Sequence, residues 1–226
     1  MKVKDFNTKV YSEKQDKVDW DTIQRIKLAI KTIGKNKNVL DIGCYDGFIT
    51  EKIRKYGNKI TGLEVSKQGV KWCKARKIKV IEQDLESKFP FKDNTFDTVF
   101  GGEIIEHIFD TDSLLQEIKR VLKPNGSLVL TTPNIAALTR RLKLLLGLNP
   151  LMDIGLISPQ GEKSAGHIRY FTKNSLNQLL KRNGFLLTNY KTEFILLSRF
   201  RFTNLAKIFP TLGWTHICKF KNKKRN

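Results

Sequence analysis

The 226-residue sequence has little cysteine and no long apolar run. Its three cysteines, Cys44, Cys73 and Cys218, are far apart and odd in number, which argues against both a disulfide framework and a CxxC metal site. No stretch approaches the ~18 apolar residues of a membrane-spanning helix, and the first residues lack the apolar core of a signal peptide. We therefore expect a cytoplasmic protein with reduced thiols.

Acidic residues are scarce in the C-terminal part of the chain. Residues 134–226 carry 17 Lys and Arg against three Asp and Glu, which makes +14 of the net charge of +20. A surface of this kind attracts the phosphates of nucleic acid, anionic lipid or a phosphorylated substrate. A solvated basic tail, KFKNKKRN, is the alternative explanation.

Strand-like and helix-like patterns alternate five times along the chain. Short apolar runs begin at Asn38, Lys59, Ile78, Thr95 and Ser127, and amphipathic segments lie between them. Alternation of this kind predicts an α/β protein whose parallel sheet is covered by helices on both faces.

The first predicted strand ends in VLDIGCYDG, where Gly43 and Gly47 would let a ligand approach the backbone. No GKS or GKT follows, which excludes a phosphate-binding P-loop, and the glycine spacing differs from the GxGxxG dinucleotide fingerprint. Asp41 precedes the glycines and would repel a pyrophosphate but attract an ammonium or sulfonium group.

Two further acids end the next two strands. Glu64 is placed to accept the hydroxyls of a ribose, and Asp84 is placed to accept from an exocyclic amino group such as that of adenine. A ribose, an adenine and a cationic amino-acid tail together describe S-adenosylmethionine. The sequence therefore predicts this cofactor.

The segments VLDIGCYDG, ITGLEVS, IEQDLE, FDTVFGGEIIEHI and LKPNGSLVLTTPN resemble, in order, the motifs of class I S-adenosylmethionine-dependent methyltransferases over about residues 36–134. The likeness is greatest to the ubiquinone-biosynthesis O-methyltransferase branch. A later segment, GHIRYFTKNSLNQLLKRNGF at 166–185, resembles methyltransferases associated with surface-glycan assembly.

This resemblance implies a Rossmann-like, doubly wound, seven-stranded, mostly parallel sheet with helices on both faces. We expect one domain over residues 1–226: a helical extension (1–35), a cofactor-binding core (36–134), and a substrate lid with the last part of the sheet and a basic tail (135–226).

The resemblance also implies the residues that hold the cofactor. They are Asp41, Gly43, Cys44, Gly47, Glu64, Val65, Asp84, Leu85 and Gly102. Tyr45 stands where the family usually has glycine, so its ring would either line the pocket or point to solvent.

A hydroxyl that accepts a methyl group benefits from a general base. His107 follows Glu103 by four residues, which would place both on one side of a helix, and His167 brings Arg169 and Tyr170 with it. We predict Glu103, His107 and His167 as catalytic candidates; a hydrogen-bonded structural histidine is the alternative for each imidazole. His216 is left unassigned. The spacing of the ligand-type residues predicts no metal.

The predicted function is O-methylation of a glycan, a lipid-linked sugar or another small molecule. The sequence GGEI replaces the Asn/Asp-Pro-Pro-aromatic signature of enzymes that methylate base amino groups. An RNA methyltransferase fits the basic C-terminal part, but no appended RNA-binding module is recognisable, so nucleic acid is the less favoured partner. A protein that holds the cofactor or a lipid surface without transferring a methyl group is the alternative outside enzymes.

Residues 135–165 include an apolar and basic segment where such enzymes place a substrate lid, and residues 194–213 are similar in character. A helix around Leu138–Leu146 would lie on an anionic membrane or pack into the core with a solvated basic face. The first alternative predicts peripheral membrane contact by this helix and by Lys219–Arg225.

Overall fold

The computed structural model describes residues 18–150 and 166–223. The strands are β1 (Asn38–Ile42), β2 (Lys59–Glu64), β3 (Lys79–Glu82), β4 (Phe96–Gly102), β5 (Leu122–Pro133), β6 (Phe185–Lys191), β7 (Ile195–Leu197), β8 (Phe200–Phe202) and β9 (Thr215–Asn222). The α-helices are α1 (Trp20–Ile33), α2 (Phe48–Lys55), α3 (Lys67–Ala75), α4 (Thr111–Val121), α5 (Leu138–Leu145), α6 (Lys173–Arg182) and α7 (Thr203–Ile208). Short 3₁₀ turns span Ile105–His107 and Pro210–Leu212.

Seven strands form one sheet in the order β3-β2-β1-β4-β5-β9-β6. The pairs from β3 to β5 are parallel, and β9 runs antiparallel to both β5 and β6. Strands β7 and β8 form a separate antiparallel pair. The predicted mostly parallel, seven-stranded sheet is confirmed.

Alternate residues of the central strands enter two different cores. Leu40 packs in one core with α4 and α6, whereas its neighbour Val39 packs in the other with α1 and α2. The neighbours Leu128 and Val129 divide in the same way on β5. Since side chains alternate across a strand, this division shows that helices cover both faces, as predicted.

Helix α1 is capped at both ends. The Asp19 carboxylate accepts from the backbone N–H of Thr22 at 2.7 Å, and Gly34, at φ 89°, ends the helix. Its apolar stripe, Ile26, Ile30 and Ile33, is buried against the sheet. Within the predicted extension at 1–35, helix α1 is thus packed on the central strands, and residues 1–17 lie outside the described ranges.

The predicted basic tail is wrong for Lys219–Asn222, because these residues belong to β9. Phe220 and Asn222 are buried, and Lys219 donates to the carbonyl of Thr32 at 3.1 Å. Strand β9 starts opposite Pro133 and runs back to Ser127, so it ends at the edge where β5 enters from the turn. Residues 224–226 lie outside the described part of the chain.

Helix α5 confirms the predicted helix after β5 but not its packing into the core. None of its residues is buried. It follows the carboxyl end of β5, and the Thr139 hydroxyl donates to the Leu196 carbonyl of the β7–β8 pair. Of the predicted lid at 135–165, residues 151–165 lie outside the described ranges. Among the helices of those ranges, none is both long and apolar enough to cross a bilayer.

Candidate functional site

A cleft opens at the carboxyl ends of the parallel strands. Most of the residues predicted for the cofactor and the chemistry line it: Asp41, Gly43, Cys44, Glu64, Val65, Asp84, Leu85, Gly102, Glu103 and His107. The strands explain this convergence, because parallel strands end at one edge of the sheet. Gly47 and His167 are not in the wall of the cleft as the described residues define it.

The two glycines of the first loop are required by packing. At Gly43 a Cβ would meet the Ile104 side chain at 2.8 Å, and at Gly47 it would meet Cys73 Sγ at 3.0 Å and Ile78 at 2.6 Å. Both glycines have positive φ, 71° and 77°. Gly47 therefore starts α2 and lets α3 approach, which differs from the predicted role of admitting a ligand.

Asp41 is a buried acid at the end of β1. Its carboxylate accepts from the Thr50 hydroxyl at 2.6 Å. Burial raises the pKa of Asp41 to about 7 against that hydrogen bond, and the nearby Glu64 carboxylate adds to the rise. A cationic ligand group in the cleft would stabilise the ionised form.

Glu64 fastens the first loop to the end of β2. The backbone N–H groups of Tyr45 and Ser66 donate to its two oxygens, each at 2.8 Å. Burial raises the pKa of Glu64 in spite of these bonds. Each carboxylate oxygen has two acceptor sites, so both oxygens can still accept the hydroxyls of a ribose.

Tyr45 lines the cleft, which decides between the two predicted positions of its ring. The ring packs edge-on against Trp72 of α3, with centroids 5.8 Å apart. Its backbone has φ 49°, a conformation that favours glycine, and the hydrogen bond to Glu64 helps to hold it there.

The end of β3 forms the outer rim of the cleft. Asp84 is half-buried and accepts from the backbone N–H of Glu86 at 3.0 Å, while Leu85 is buried beside it. The Glu86 carboxylate accepts from the N–H groups of Phe109 and Asp110. Those bonds join this rim to the chain that follows the 3₁₀ turn.

Arg25 of α1 was not predicted. Among the described residues that line the cleft it is the single Lys or Arg, and its guanidinium lies 3.0 Å from Glu103 Oε2. Within the helix it is one more polar residue between apolar ones, so no sequence motif marks it. Its position suits the carboxylate of a bound amino acid.

Glu103 and His107 do not share one helical face, so that prediction is wrong. Ile105–His107 is a 3₁₀ turn, and Glu103, at φ 53°, points its carboxylate to Arg25 instead. The carboxylate beside the imidazoles is Glu106, which the sequence analysis missed.

Glu106 and His107, both buried, form one cluster with the half-buried His167. Glu106 Oε2 accepts from the Thr132 hydroxyl at 2.9 Å, and Oε1 lies 3.9 Å from His167 Nε2. The rings of His107 and His167 are 4.9 Å apart between centroids. Burial raises the pKa of Glu106 strongly, and Glu103 adds to the rise.

The segment GHIRYF is hydrogen-bonded to this cluster. The backbone N–H groups of Ile168 and Arg169 donate to the Glu106 carbonyl at 3.0 and 3.2 Å. His107 Nδ1 lies 3.2 Å from the Gly166 carbonyl, and because a carbonyl only accepts, Nδ1 carries the proton and Nε2 the lone pair. The two predicted histidines are thereby brought together across 60 residues of sequence.

The same cluster offers a set of metal ligands. The ligand atoms of Glu106, His107 and His167 lie within 4.8 Å of one another. One carboxylate and two imidazoles suit divalent transition metals. The sequence predicted no metal because residue spacing along the chain does not reveal this grouping.

His216 has a structural role. Its Nε2 donates to the Phe171 carbonyl (3.0 Å), and its Nδ1 accepts from the Tyr190 hydroxyl (2.8 Å). Burial lowers the pKa of His216 to about 4, so the ring stays neutral near pH 7. These bonds tie β9 to β6 and to the end of the GHIRYF segment.

Residues 40–130 match the family model described as a methyltransferase domain. Among solved structures, a S-adenosylmethionine-dependent methyltransferase from Thermotoga maritima, titled a possible histamine N-methyltransferase, has a TM-score of 0.67 at 18% identity and covers 99% of this chain and 100% of its own. A cyclase named SpnF has a TM-score of 0.61 at 20% identity, over 93% and 84% of the two chains. Residues 40–130 thus match a methyltransferase domain, and the described part of the chain has the fold of solved S-adenosylmethionine-dependent methyltransferases.

Its curated relatives include ubiquinone biosynthesis O-methyltransferases. The human mitochondrial enzyme is 30% identical over 155 residues, which are 65% of this chain and 40% of that protein. The Pelagibacter ubique enzyme is 35% identical over 104 residues, 44% of this chain and 43% of that protein. The chain therefore spans less than half the length of these relatives.

The two acids predicted to hold the nucleoside should respond differently to alanine. Asp84→Ala should weaken S-adenosylhomocysteine binding about tenfold, the scale of one hydrogen bond to a charged group, with little change in the melting temperature, because the Glu86 N–H that loses its acceptor is exposed to water. Glu64→Ala should weaken binding at least as much and also lower the melting temperature, because two backbone donors lose their acceptor. Calorimetry and thermal unfolding measure both. Wild-type affinity in both variants would disprove the nucleoside site.

Proposed function

We propose that the protein transfers the methyl group of S-adenosylmethionine to a hydroxyl oxygen of a glycan, a lipid-linked sugar or another small molecule. The observation that carries this proposal is the Glu106–His107–His167 cluster, whose His107 imidazole lines the cleft that the cofactor would occupy. The names of the curated relatives support oxygen as the acceptor atom.

The residues of the cleft fit this cofactor. Asp41 is a buried acid with a raised pKa, which suits a cationic amino-acid tail, and Arg25 suits the carboxylate of that tail. Glu64 retains acceptor sites for the ribose, and Asp84 with Leu85 would border the adenine. Asp41, Glu64 and Asp84 lie at or just after the ends of the neighbouring strands β1, β2 and β3, which is the order of the cofactor's parts.

Bound S-adenosylmethionine supplies a methyl group on a sulfonium that is already an activated electrophile, so the protein needs mainly to place the acceptor and remove its proton. His107 is suited to receive that proton at Nε2, since its Nδ1 donates to Gly166. His167 contacts His107 and lies between it and the Tyr170 ring. Glu106 Oε1 lies 3.9 Å from His167 Nε2, where the carboxylate, once ionised, would stabilise a positive charge on the two imidazoles in contact.

Removal of either imidazole tests this arrangement. His107→Ala should lower kcat at least about 10²-fold, the usual scale for a general base, and His167→Ala should lower it by a smaller factor. S-adenosylhomocysteine affinity should stay close to wild type in both, which separates catalysis from folding. Full activity of His107→Ala would contradict its role as the base.

A chelator distinguishes a base from a metal ligand. If EDTA abolishes the wild-type activity and Mn²⁺ or Zn²⁺ restores it, the three residues hold a metal that activates the acceptor, and the assignment of an imidazole as the base is wrong. Activity that EDTA leaves unchanged supports the base.

The class of acceptor can be found without knowing its name. Methyl-labelled S-adenosylmethionine, added with the protein to a cell extract, should label the lipid or glycan fraction, and the His107→Ala protein should label neither. Label in RNA would replace the proposal with the RNA alternative. Absence of label from an extract, together with normal cofactor binding, would favour a protein that holds the cofactor without transferring its methyl group.

Helix α5, the β7–β8 pair and α7 carry an exposed apolar surface, called here the α5 patch. We propose that it contacts an anionic membrane. Residues 138–150 and 195–213 contain six Lys and Arg and no Asp or Glu. Leu144, Leu145 and Leu146 are 66%, 81% and 73% exposed. The patch also includes Leu142, Leu148, Leu197, Phe200, Phe202, Leu205, Ile208 and Phe209. Of the six cations, Arg201 is paired with Asp21 of α1. Exposed apolar side chains with several cations beside them match the boundary between acyl chains and anionic headgroups.

The β9 end is not part of this surface. Helix α5 leaves β5 at its carboxyl end, whereas β9 finishes beside the start of β5, at the opposite edge of the sheet. Lys219 is moreover bonded to Thr32. Membrane contact through α5 would therefore not include Lys219–Asn222, contrary to the expectation from the sequence.

Vesicle sedimentation tests the α5 patch. The protein should bind vesicles that contain phosphatidylserine and leave them in high salt, because each basic residue near such a surface contributes about 1 kcal/mol and salt screens it. Replacing both Leu145 and Phe200 by Ser should weaken binding at least about tenfold. Leu186→Ser, an exposed leucine on β6, is the matched control and should bind as wild type. If nonspecific RNA binds more tightly than the vesicles and strips the protein from them, nucleic acid replaces the membrane as the partner.

A further inference from the structure

Two thiols that the proposed transfer does not use lie under the cofactor cleft. Cys44, in the loop after β1, lines the cleft, and Cys73 is on α3. Their sulfur atoms are 3.7 Å apart, and both side chains are buried. The sequence separates them by 29 residues, and the fold places them in direct contact.

The surrounding glycines confine both sulfurs. A Cβ at Gly62 would lie 2.5 Å from Cys44 Sγ, and a Cβ at Gly47 would lie 3.0 Å from Cys73 Sγ. The Cys73 thiol also donates to the Tyr45 carbonyl at 3.3 Å. The thiols are thus held against each other at the point where the first loop rests on α3.

We propose that Cys44 and Cys73 form a disulfide when a peroxide oxidises them, and that this bond prevents cofactor binding. The proposal rests on the cofactor site proposed above. The Cys44 thiolate attacks a peroxide oxygen and becomes a sulfenic acid as one water leaves; Cys73 then attacks that sulfur and a second water leaves. The two thiols lose two electrons and two protons, and hydrogen peroxide is reduced to two waters.

The bond would deform the wall of the cleft. The sulfurs must approach from 3.7 Å to about 2.05 Å, which moves the loop towards α3. The N–H groups of Gly43 and Cys44 now donate to the Leu63 carbonyl, at 2.9 and 3.0 Å, and that of Tyr45 donates to Glu64. Displacement of these three residues alters the part of the cleft assigned to the methionine and the ribose.

Cofactor and oxidant should oppose each other. Cys44 is reached through the cleft, so a bound cofactor shields its sulfur, and by linkage a closed disulfide lowers the affinity for the cofactor. The hydrogen bond with Cys73 and burial raise the pKa of Cys44 well above that of an ordinary thiol. Oxidation should therefore be slow near pH 7 and faster in alkali.

The whole chain should be treated with hydrogen peroxide at pH 8 to 9, with and without S-adenosylhomocysteine. The expected product has lost two hydrogen atoms and contains a Cys44–Cys73 cross-linked peptide, which S-adenosylhomocysteine suppresses. Its affinity for S-adenosylhomocysteine should fall at least tenfold, and dithiothreitol should restore it. Oxidation of Cys44 to a sulfinic acid without a cross-link, or a cross-link that leaves the affinity unchanged, would overturn the proposal.

Two variants complete the test. Mild peroxide treatment, of a strength that dithiothreitol can reverse in the wild type, should leave the affinity of Cys73→Ala for S-adenosylhomocysteine unchanged before any reduction. Cys218→Ser, which alters a buried thiol of β9, should respond to peroxide as the wild type does. Peptide mapping of the wild type needs no variant, so the cross-link is tested even if Cys73→Ala folds poorly. Untreated protein that binds no S-adenosylhomocysteine would refute the cofactor site, and mapping would still report on the cross-link alone.

Discussion

The hydrogen bonds of the Glu64 carboxylate hold together the two strand ends on which the cofactor cleft is built. One oxygen binds the loop after β1 through Tyr45, and the other binds the turn before α3 through Ser66. These two donors offset part of the cost of burying a carboxylate, and burial still raises its pKa. The position of the loop, and with it Tyr45, Cys44 and the start of α2, depends on this side chain.

A second buried acid, Asp41, lowers the free energy of unfolding of the protein when no cationic ligand is bound. Its pKa in the folded chain is about 7, above the ordinary value of 3.8, so the folded state binds more protons between these values. The free energy of unfolding therefore falls as the pH rises from about 4 to about 7, and the penalty is complete above that range. A cationic ligand beside Asp41 removes this penalty, which links the stability of the domain to the charge of its ligand.

Sequence patterns predicted the sheet because its central strands are short apolar runs buried on both faces and most of them are followed by a helix. They failed where a residue's role depends on distant neighbours. Arg25 looks like any polar residue of an amphipathic helix, and Glu106 was missed because EIIEH was taken as helical when it forms a 3₁₀ turn. The net charge of KFKN also concealed an alternation of burial. Phe220 and Asn222 are buried, whereas Lys219 is half-buried and Lys221 is exposed. In this segment the two-residue period of a strand indicates the structure better than the charge does.

The parts that would choose an acceptor lie mostly outside the segment that matches the family model. His167 and Tyr170 come from the GHIRYF segment, and the α5 patch is formed by residues after 137. Exposed leucines and phenylalanines contribute nothing to the core, so the stability of the fold does not explain them. In hairpin β7–β8, Phe200 and Phe202 are exposed, while Arg201 between them pairs with Asp21 of α1. Helix α1 also carries Arg25 into the cleft, so the outward apolar face and the cation assigned to the cofactor rest on the same helix. An amphiphilic acceptor held at this face would meet the cleft from the carboxyl edge of the sheet, where the imidazoles lie.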